Sequence, residues 1–331
     1  MPQTIRPAHA ADIPRLVALL MLDAQERHAL DNVLWRIADD APAQIEQALR
    51  DALSGDAQPA RQFWQVSESL GQITGVAHAM LLPVPPIYAG ADGPPGLVLP
   101  DCFVAPDAPN GTRDALLASV EAVLRAAGAR ILLAAHVPGV AWQEAIAQRG
   151  YSPLTLYLSR TGLEDAGTRQ AVRPALAKDL PGIVARSAEN RRVLVDIDRF
   201  WGPHPDADAR FAAWMTRSLT LEDRDMFVAG PSAALGGYVI AQPATRLHFP
   251  TAHDISRKGV IDDYYHHALA DPLHLDPADT GARALLQAAE SAFARRGVKS
   301  AFVVCPAGWR SKIALLDATG YETAMVWSIK R

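Results

Sequence analysis

Six consecutive residues, Asp262 to His267 (DDYYHH), carry side chains that can accept, donate or hold a proton. The segment around them, residues 260–270, is short and rich in β-branched and aromatic residues, which predicts a buried strand. Because side chains alternate along a strand, Asp263 and His267 are predicted to share one face. Histidine titrates nearest to neutral pH, so we assign His267, with Asp263 beside it, as the general base. The alternative is that these side chains are hydrogen-bonded structural groups or polar groups that face a substrate.

A second candidate site follows this strand, at the predicted start of a helix near Thr280. From there to Phe293 the apolar residues fall at helical spacing and form one face. The first turn of a helix leaves backbone N–H groups unpaired and favours negative charge, so it can bind a phosphate. Thr280, Gly281 and Ala282 are small enough to let a pyrophosphate approach the backbone, and Arg283 adds a cation. The alternative is an ordinary strand–helix connection with small residues in its loop.

Composition excludes several classes of protein. A chain of 331 residues is long for one domain and comfortable for two. About half of the residues are apolar, a fifth are charged and the net charge is −4, so we expect a globular protein without a dedicated nucleic-acid surface. No apolar run approaches the roughly 20 residues that span a bilayer, so no membrane partner is expected.

The cysteine and histidine content does not predict a metal site. Only Cys102 and Cys305 occur, without the Cys/His spacing of a zinc site. A cysteine in a buried strand is usually inert, so Cys305 is not assigned as a nucleophile. The N-terminus lacks the basic start and apolar block of a signal peptide, and a cytoplasmic location is expected.

The sequence contains an internal repeat. Three pairs of segments match at nearly equal offsets, namely 5–14 (IRPAHAADIP) with 172–181 (VRPALAKDLP), 114–117 (DALL) with 283–286 (RALL), and 150–151 with 320–321 (both GY). We therefore predict two copies of one unit, residues 1–160 and 170–331, joined by the polar linker 161–169 (TGLEDAGTR).

The sequence of each copy predicts the element order β-α-α-β-β-β-α-β-α-β. Examples are a strand over residues 96–105 and a helix over residues 207–218. This order, together with the IRPAxxxDIP opening, the VIDDYY…ADP strand, the GARALLQAAE helix and the terminal LLDATGY, resembles the GNAT N-acetyltransferase superfamily. The resemblance covers essentially the whole chain, twice. It implies an α/β (α+β) fold of two tandem GNAT-like domains, each a mixed, twisted sheet flanked by helices.

The resemblance also implies a co-substrate, acetyl-CoA. In that family the strand before the central helix splays from its neighbour and the coenzyme lies in the notch. Its pantetheine arm bonds to the backbone of the strand, and its pyrophosphate sits on the helix N-terminus. In the second copy these positions are Leu269, Ala270 and Asp271 for the pantetheine, and Thr280 to Arg283 for the pyrophosphate.

Both copies depart from the pyrophosphate pattern of the family, Gln/Arg-x-x-Gly-x-Gly/Ala. The second copy keeps the final small residue, Ala282, but has Thr280 in place of the first glycine. The first copy keeps Gly111 and places Arg113 at the second small position, where it either crowds a phosphate or binds it. We therefore expect the second copy to hold acetyl-CoA and the first to be degenerate.

Catalytic and acceptor residues are less clearly marked. The tyrosine acid of the family is replaced by Leu316 in the second copy and by Ile146 in the first. The family's acceptor pocket corresponds to a segment with Asp196, Asp198 and Trp201, two carboxylates near an aromatic ring that suit a cationic amine. The alternative is a solvated helix connection with Trp201 in the core.

The resemblance implies an N-acetyltransferase in which a primary amine of a small molecule or peptide attacks acetyl-CoA directly in a ternary complex. The enzyme is expected to be a monomer or homodimer and to need no metal. The alternative is a non-catalytic acyl-CoA-binding or scaffold protein built from two degenerate domains, since fold alone does not decide function.

Overall fold

The computed structural model describes residues 3–54, 60–167, 172–274 and 281–331. The described residues form eight α-helices around one large mixed sheet. The first half contains β1 (Gln3–Pro7), α1 (Ile13–Leu30), α2 (Ala41–Leu53), β2 (Gln62–Ser69), β3 (Gln72–Leu81), β4 (Gly96–Val98), β5 (Phe103–Val104), α3 (Thr112–Ala126), β6 (Leu132–His136), α4 (Trp142–Gln148) and β7 (Ser152–Thr161).

The second half has the same order of elements as the first. Its helices and strands are β8 (Val172–Pro174), α5 (Leu180–Ile197), α6 (Ala207–Ser218), β9 (Asp225–Ala229), β10 (Gly237–Pro243), β11 (Lys258–Ile261), β12 (Tyr264–His266), α7 (Gly281–Arg295), β13 (Ser300–Pro306), α8 (Arg310–Asp317) and β14 (Glu322–Lys330).

The two halves share the sheet and exchange their last strands. The strand order is β1-β2-β3-β4-β6-β14-β7-β13-β11-β10-β9-β8. β7, which ends the first half, pairs antiparallel with β13 over Thr155 to Thr161, and β14 pairs antiparallel with β6 over Val326 to Lys330. β7 and β14 also pair with each other at the centre. Each half therefore lacks a complete sheet without the last strand of the other.

A parallel strand pair splays apart in each half. β4 pairs with β6 only as far as Val98, after which β5 pairs with β3. β11 pairs with β13 only as far as Ile261, after which β12 pairs with β10. A notch between neighbouring strands therefore opens twice in one sheet.

The splay interrupts both strands that the sequence predicts as continuous, so the prediction of a single strand over residues 96–105 and over residues 260–270 is wrong. In the first half the break contains Pro100, which lacks the N–H that a strand ladder uses. In the second half it contains Asp262 and Asp263, residues that are depleted in strands. A 3₁₀ turn then begins at His267, so strand alternation ends before that residue.

The helices cover the sheet with separate apolar clusters. α3 buries Leu116, Leu117 and Val120 in the first half, and α7 buries one whole apolar face in the second. A third cluster under the exchanged strands joins Leu133, Phe302 and Trp327 from both halves. Within the described residues, no helix is long and apolar enough to cross a bilayer.

Candidate functional site

The notch of the second half is spanned by the protein's own groups. Trp309, at the start of α8, is fully buried, and its indole N–H donates to the carbonyl oxygen of Leu269 at 2.9 Å. The backbone N–H of Ser311 donates to the carbonyl of Pro272 at 3.0 Å. These bonds tie α8 to the segment that follows β12, where the sequence places the pantetheine arm.

Lys312 of α8 also bonds across this notch. Its ammonium group donates to the carbonyl of Tyr264 at 2.9 Å and lies 5.0 Å from the ring of Trp309 and 5.1 Å from that of Tyr264. Burial lowers the pKa of Lys312 because it disfavours the charged form. The Tyr264 hydroxyl in turn donates to the carbonyl of Ala282 in the first turn of α7 at 2.6 Å. The carbonyl oxygens of Tyr264, Leu269, Pro272 and Ala282 are therefore already engaged.

The first half instead has an open cavity at the start of its central helix, which we call the outer cavity. It measures about 390 Å³ and lies between the segment 104–114 and α4. Gly111 caps α3 in the left-handed conformation (φ 81°), which glycine adopts without steric cost. The first turn of α3, Thr112 to Asp114, lines the outer cavity, and the exposed acids Asp114 and Glu144 stand at its rim.

A smaller inner cavity of about 90 Å³ continues into the notch of the first half. The two cavities share Val104, Arg113 and Ala141 as wall residues, so they are neighbours. The inner cavity is also lined by the residues Asp23, Glu26 and Arg27 of α1, Cys102 of the strand break, His136 of β6 and Trp142 of α4. Together the cavities run from the start of α3 to the break in the strand.

Arg113 stands between the outer and inner cavities. Its guanidinium carbon lies 5.6 Å from the centre of the Trp142 ring, and its Nε is buried without a hydrogen-bond partner among the described residues. In the described part of the first half, no indole N–H bonds across the notch as that of Trp309 does in the second half. Trp309 and Gly139 both lie eleven residues before the glycine of a Gly-Tyr pair, so glycine stands where the second half has tryptophan.

The inner cavity holds ionisable groups with altered proton affinity. Asp23 accepts a hydrogen bond of 2.6 Å from Nη2 of Arg27, and burial raises the pKa of its carboxyl to about 7 despite that partner. Burial lowers the pKa of His136 to about 4, so its imidazole is neutral at neutral pH. The inner cavity therefore offers a carboxyl group that titrates near neutrality.

A third cavity of about 350 Å³, the central cavity, lies between the halves. It is walled by the loop 82–95 of the first half, by α5 and by the exchanged strands. Asp262 and Asp263 line it, and the Tyr238 hydroxyl donates to Asp263 at 3.2 Å. Burial, followed by the charge of Asp262, raises the pKa of Asp263 to about 7.

The structure separates the two residues that the sequence pairs as base and partner. Asp263 lines the central cavity, whereas His267 is exposed, does not line it, and places its Nδ1 3.1 Å from the carbonyl oxygen of Gly236. The proposed acceptor residues are also divided. Trp201 lines the central cavity, whereas Asp196 lies on another surface groove and Asp198 caps the 3₁₀ turn that ends at Trp201.

The remaining sequence-predicted residues lie around the closed notch. Leu269 is buried, with its carbonyl bonded to Trp309, whereas Ala270 and Asp271 are exposed. Gly281, Ala282 and Arg283 form the first turn of α7, and Thr280 lies outside the described residues. Cys305 is fully buried and burial raises the pKa of its thiol to about 12, so it is protonated at neutral pH.

Sequence reasoning missed Asp23 and Arg27 of α1 and His136 of β6, which share no motif. It also missed the contrast between Gly139 and Trp309. That contrast was visible once the Gly-Tyr pairs were aligned, but its meaning depends on the bond to Leu269.

No protein-family model matches the sequence, and no curated protein is similar to it in sequence. Solved structures are similar in fold. A GCN5-related N-acetyltransferase from Sphaerobacter thermophilus matches with a TM-score of 0.56 and 18% identity, over 99% of this chain and 95% of that one. A tandem GNAT protein from the clavulanic acid biosynthesis pathway matches with a TM-score of 0.51 and 16% identity, over 99% and 98%.

A third similar structure belongs to a much longer protein. It is the GCN5-related glucosamine N-acetyltransferase region of a fungal multi-domain GH3 β-N-acetylglucosaminidase, with a TM-score of 0.51 and 11% identity, over 99% of this chain and 38% of that one. The repeated element order, the two splayed strand pairs and these matches agree. The chain has the fold of the GNAT superfamily, in its tandem form.

Proposed function

We propose that the protein is an acetyl-CoA-dependent N-acyltransferase whose coenzyme site lies in the first half. The single observation that carries the assignment is the contrast between the two notches. In the second half Trp309 bonds to Leu269 across the notch, whereas the first half has Gly139 at that position and two neighbouring cavities. The phosphate pattern of the sequence favours the second half as the coenzyme site, so this proposal moves the site to the first half.

The residues of the first half fit the parts of such a coenzyme. The first turn of α3 and the guanidinium of Arg113 suit a pyrophosphate in the outer cavity, because unpaired N–H groups and positive charge both favour an anion. The reactive end then belongs in the inner cavity beside Asp23 and His136. Bound coenzyme supplies an acyl thioester that an amine can attack.

The chain's contribution to the reaction is orientation and proton transfer. An amine with a pKa of about 10.4 arrives protonated, so it must lose a proton before its nitrogen attacks the thioester carbon. The N–C bond forms, the C–S bond breaks, and the second proton of the nitrogen ends on the departing thiolate. Asp23 is placed to take the first proton, since a group that titrates near pH 7 suits general base catalysis. Orientation alone is worth about 7–11 kcal/mol.

Isothermal titration calorimetry with acetyl-CoA tests which half of the chain binds the coenzyme. Ala141, the residue before α4, is exposed and lines both the outer and the inner cavity, whereas Ala147, within α4, is exposed and lines neither. We expect Ala141→Trp to abolish binding and Ala147→Trp to leave it unchanged. Gly281→Asp, which places a carboxylate at the start of α7, is expected to have no effect. Binding that survives Ala141→Trp but is lost in Gly281→Asp would return the site to the second half.

Turnover separates the enzyme from its rival, a non-catalytic acyl-CoA-binding or scaffold protein. Release of free coenzyme thiol over a panel of primary amines should exceed hydrolysis without amine. Coenzyme binding without thiol release for any amine would favour the rival. An acceptor that is a primary amine of a small molecule or peptide, a monomer or homodimer state and a cytoplasmic location stay predictions from the sequence.

A further inference from the structure

Three buried nitrogen atoms that have no hydrogen-bond partner among the described residues belong to side chains that line the inner cavity. They are Nη1 of Arg27, Nε of Arg113 and Nδ1 of His136. The side chains come from α1, α3 and β6, so their meeting is a product of the tertiary fold. Arg27 is only 3% exposed and His136 only 6%.

Unpaired buried donors are rare in folded proteins, because each has given up a hydrogen bond to water. Two of the three atoms are guanidinium nitrogens, and the side chains that carry all three line one cavity, which favours an occupant with acceptor oxygens. The two guanidinium groups can only donate, and a neutral imidazole donates from one nitrogen. The inner cavity therefore suits an acceptor-rich group better than an ammonium or a hydrocarbon.

The charges around the inner cavity favour one negative charge. Arg27 already forms an ion pair of 2.6 Å with Asp23, the buried carboxylate on this wall. Glu26 also lines the cavity, but it is exposed to solvent, which screens its charge. Among the described residues, no carboxylate forms an ion pair with Arg113, so its positive charge remains for a ligand.

We propose that the inner cavity binds a small carboxylate, held by Arg27, Arg113 and His136. Its volume of about 90 Å³ leaves room for a carboxylate with a short carbon chain. Where the proposed function holds, this carboxylate has two possible sources, the acyl group that is transferred or the acceptor, which would then be an amino acid.

Two matched pairs of probes distinguish the sources. Calorimetry compares succinyl-CoA with butyryl-CoA, which has a four-carbon acyl chain without the carboxylate. Thiol release with saturating acetyl-CoA compares L-alanine with ethylamine by kcat/KM. Preference for succinyl-CoA assigns the carboxylate to the acyl group, and preference for L-alanine assigns it to the acceptor. We expect one of these preferences to be about tenfold or larger, the size of a charge-assisted hydrogen bond.

Variants connect the preference to the cavity. Arg113→Gln should reduce the preference for the carboxylate over its uncharged partner about tenfold or more. Because Arg113 also lines the outer cavity, both partners of a pair bind more weakly, and the ratio within each probe pair is what the variant tests. Arg27→Lys keeps a positive charge beside Asp23 but removes the guanidinium fork, and should have the same effect. Arg130→Gln is the control, because Arg130 is exposed and lines neither the inner nor the outer cavity.

Equal affinity or turnover within both probe pairs, in a wild-type protein that binds acetyl-CoA, would overturn the carboxylate site and leave the proposed function intact. If no CoA ester binds, the proposed function fails instead. The site is then tested alone by titrating the full chain with propionate under NMR observation. Binding of propionate that Arg113→Gln weakens and Arg130→Gln does not would support the site, and no binding would overturn it.

Discussion

Arg173 donates two hydrogen bonds of 2.7 Å to the carboxylate of Asp179, and Arg6 forms the same pair with Asp12 at 2.7 and 3.0 Å. In the second half the backbone N–H of Leu176 completes the arrangement by donating to the same carboxylate at 2.8 Å. The repeated sequence therefore forms one local structure twice, and in both copies it fixes the entry into a long helix. The repeat in the sequence is therefore also a repeat in the structure.

Asp179→Asn should destabilise the protein by about 1.5–3 kcal/mol, because it weakens two hydrogen bonds to a fully buried carboxylate. Its partner Arg173 lowers the pKa of Asp179, so the contribution is present at neutral pH and is lost as the pH falls below the ordinary value of 3.8. Denaturant unfolding at several pH values measures both effects. The wild type and the variant should converge in acid.

Asp39→Asn is the control for that series, since the Asp39 side chain is 95% exposed and should contribute little. Asp12→Asn tests the corresponding pair in the first half, and the double variant should show additive losses. Equal stability of Asp179→Asn and wild type at pH 7 would contradict the assigned role.

The strand exchange predicts that the two halves stay together after the chain is cut between them. β7 pairs with β13 over seven residues and also with β14, so separation of the halves requires breaking the central sheet. A protease site inserted at residues 164–166, which are exposed, allows cleavage of the folded protein. The cut protein should elute as one particle with an unchanged circular dichroism spectrum. Dissociation of the halves without denaturant would contradict the exchanged arrangement.

The sequence predicted those parts of the fold that depend on local pattern. The helix over residues 207–218 has the predicted bounds, and the repeated element order and the fold class are confirmed. The exchange of β7 and β14 was not predicted, because hydrophobic alternation determines which face of a strand is buried and not which neighbour it pairs with. Strand breaks at Pro100 and Asp262 were missed for a related reason, since a continuous apolar pattern hides where the pairing partner changes.

The candidate site was harder to predict than the fold. A departure from a linear motif marks Arg113 in the sequence, and in the structure Arg113 lines both cavities of the first half. The inner cavity, however, is assembled from α1, β6 and α4, and nothing local marks Arg27 or His136 as members of one site. The bonds that span the notch of the second half, from Trp309 to Leu269 and from Lys312 to Tyr264, join residues that are far apart in the sequence.

Asp23 is predicted to act as the base of the transfer reaction. Burial raises the pKa of its carboxyl to about 7, and the charged groups that act on it are Arg27, Asp101 and Glu26. Because only the ionised carboxylate can take the proton, kcat/KM should rise with pH to a plateau above about pH 7. Asp23→Asn keeps an oxygen that can accept the Arg27 hydrogen bond, so it should remain folded while losing the base. Its kcat should fall by roughly 10²–10⁴-fold, typical of a general base.

Glu26→Gln is the matched comparison, because Glu26 lies on the same helix and lines the same inner cavity but is exposed. It should leave kcat within a few-fold of wild type. Calorimetry with acetyl-CoA should give nearly the same affinity for the wild type and for Asp23→Asn, which separates a loss of chemistry from a loss of binding. If Glu26→Gln removes the acid limb of the pH profile and Asp23→Asn keeps it, the base is Glu26. If both variants keep the acid limb of the pH profile and the kcat of the wild type, neither Asp23 nor Glu26 takes the proton.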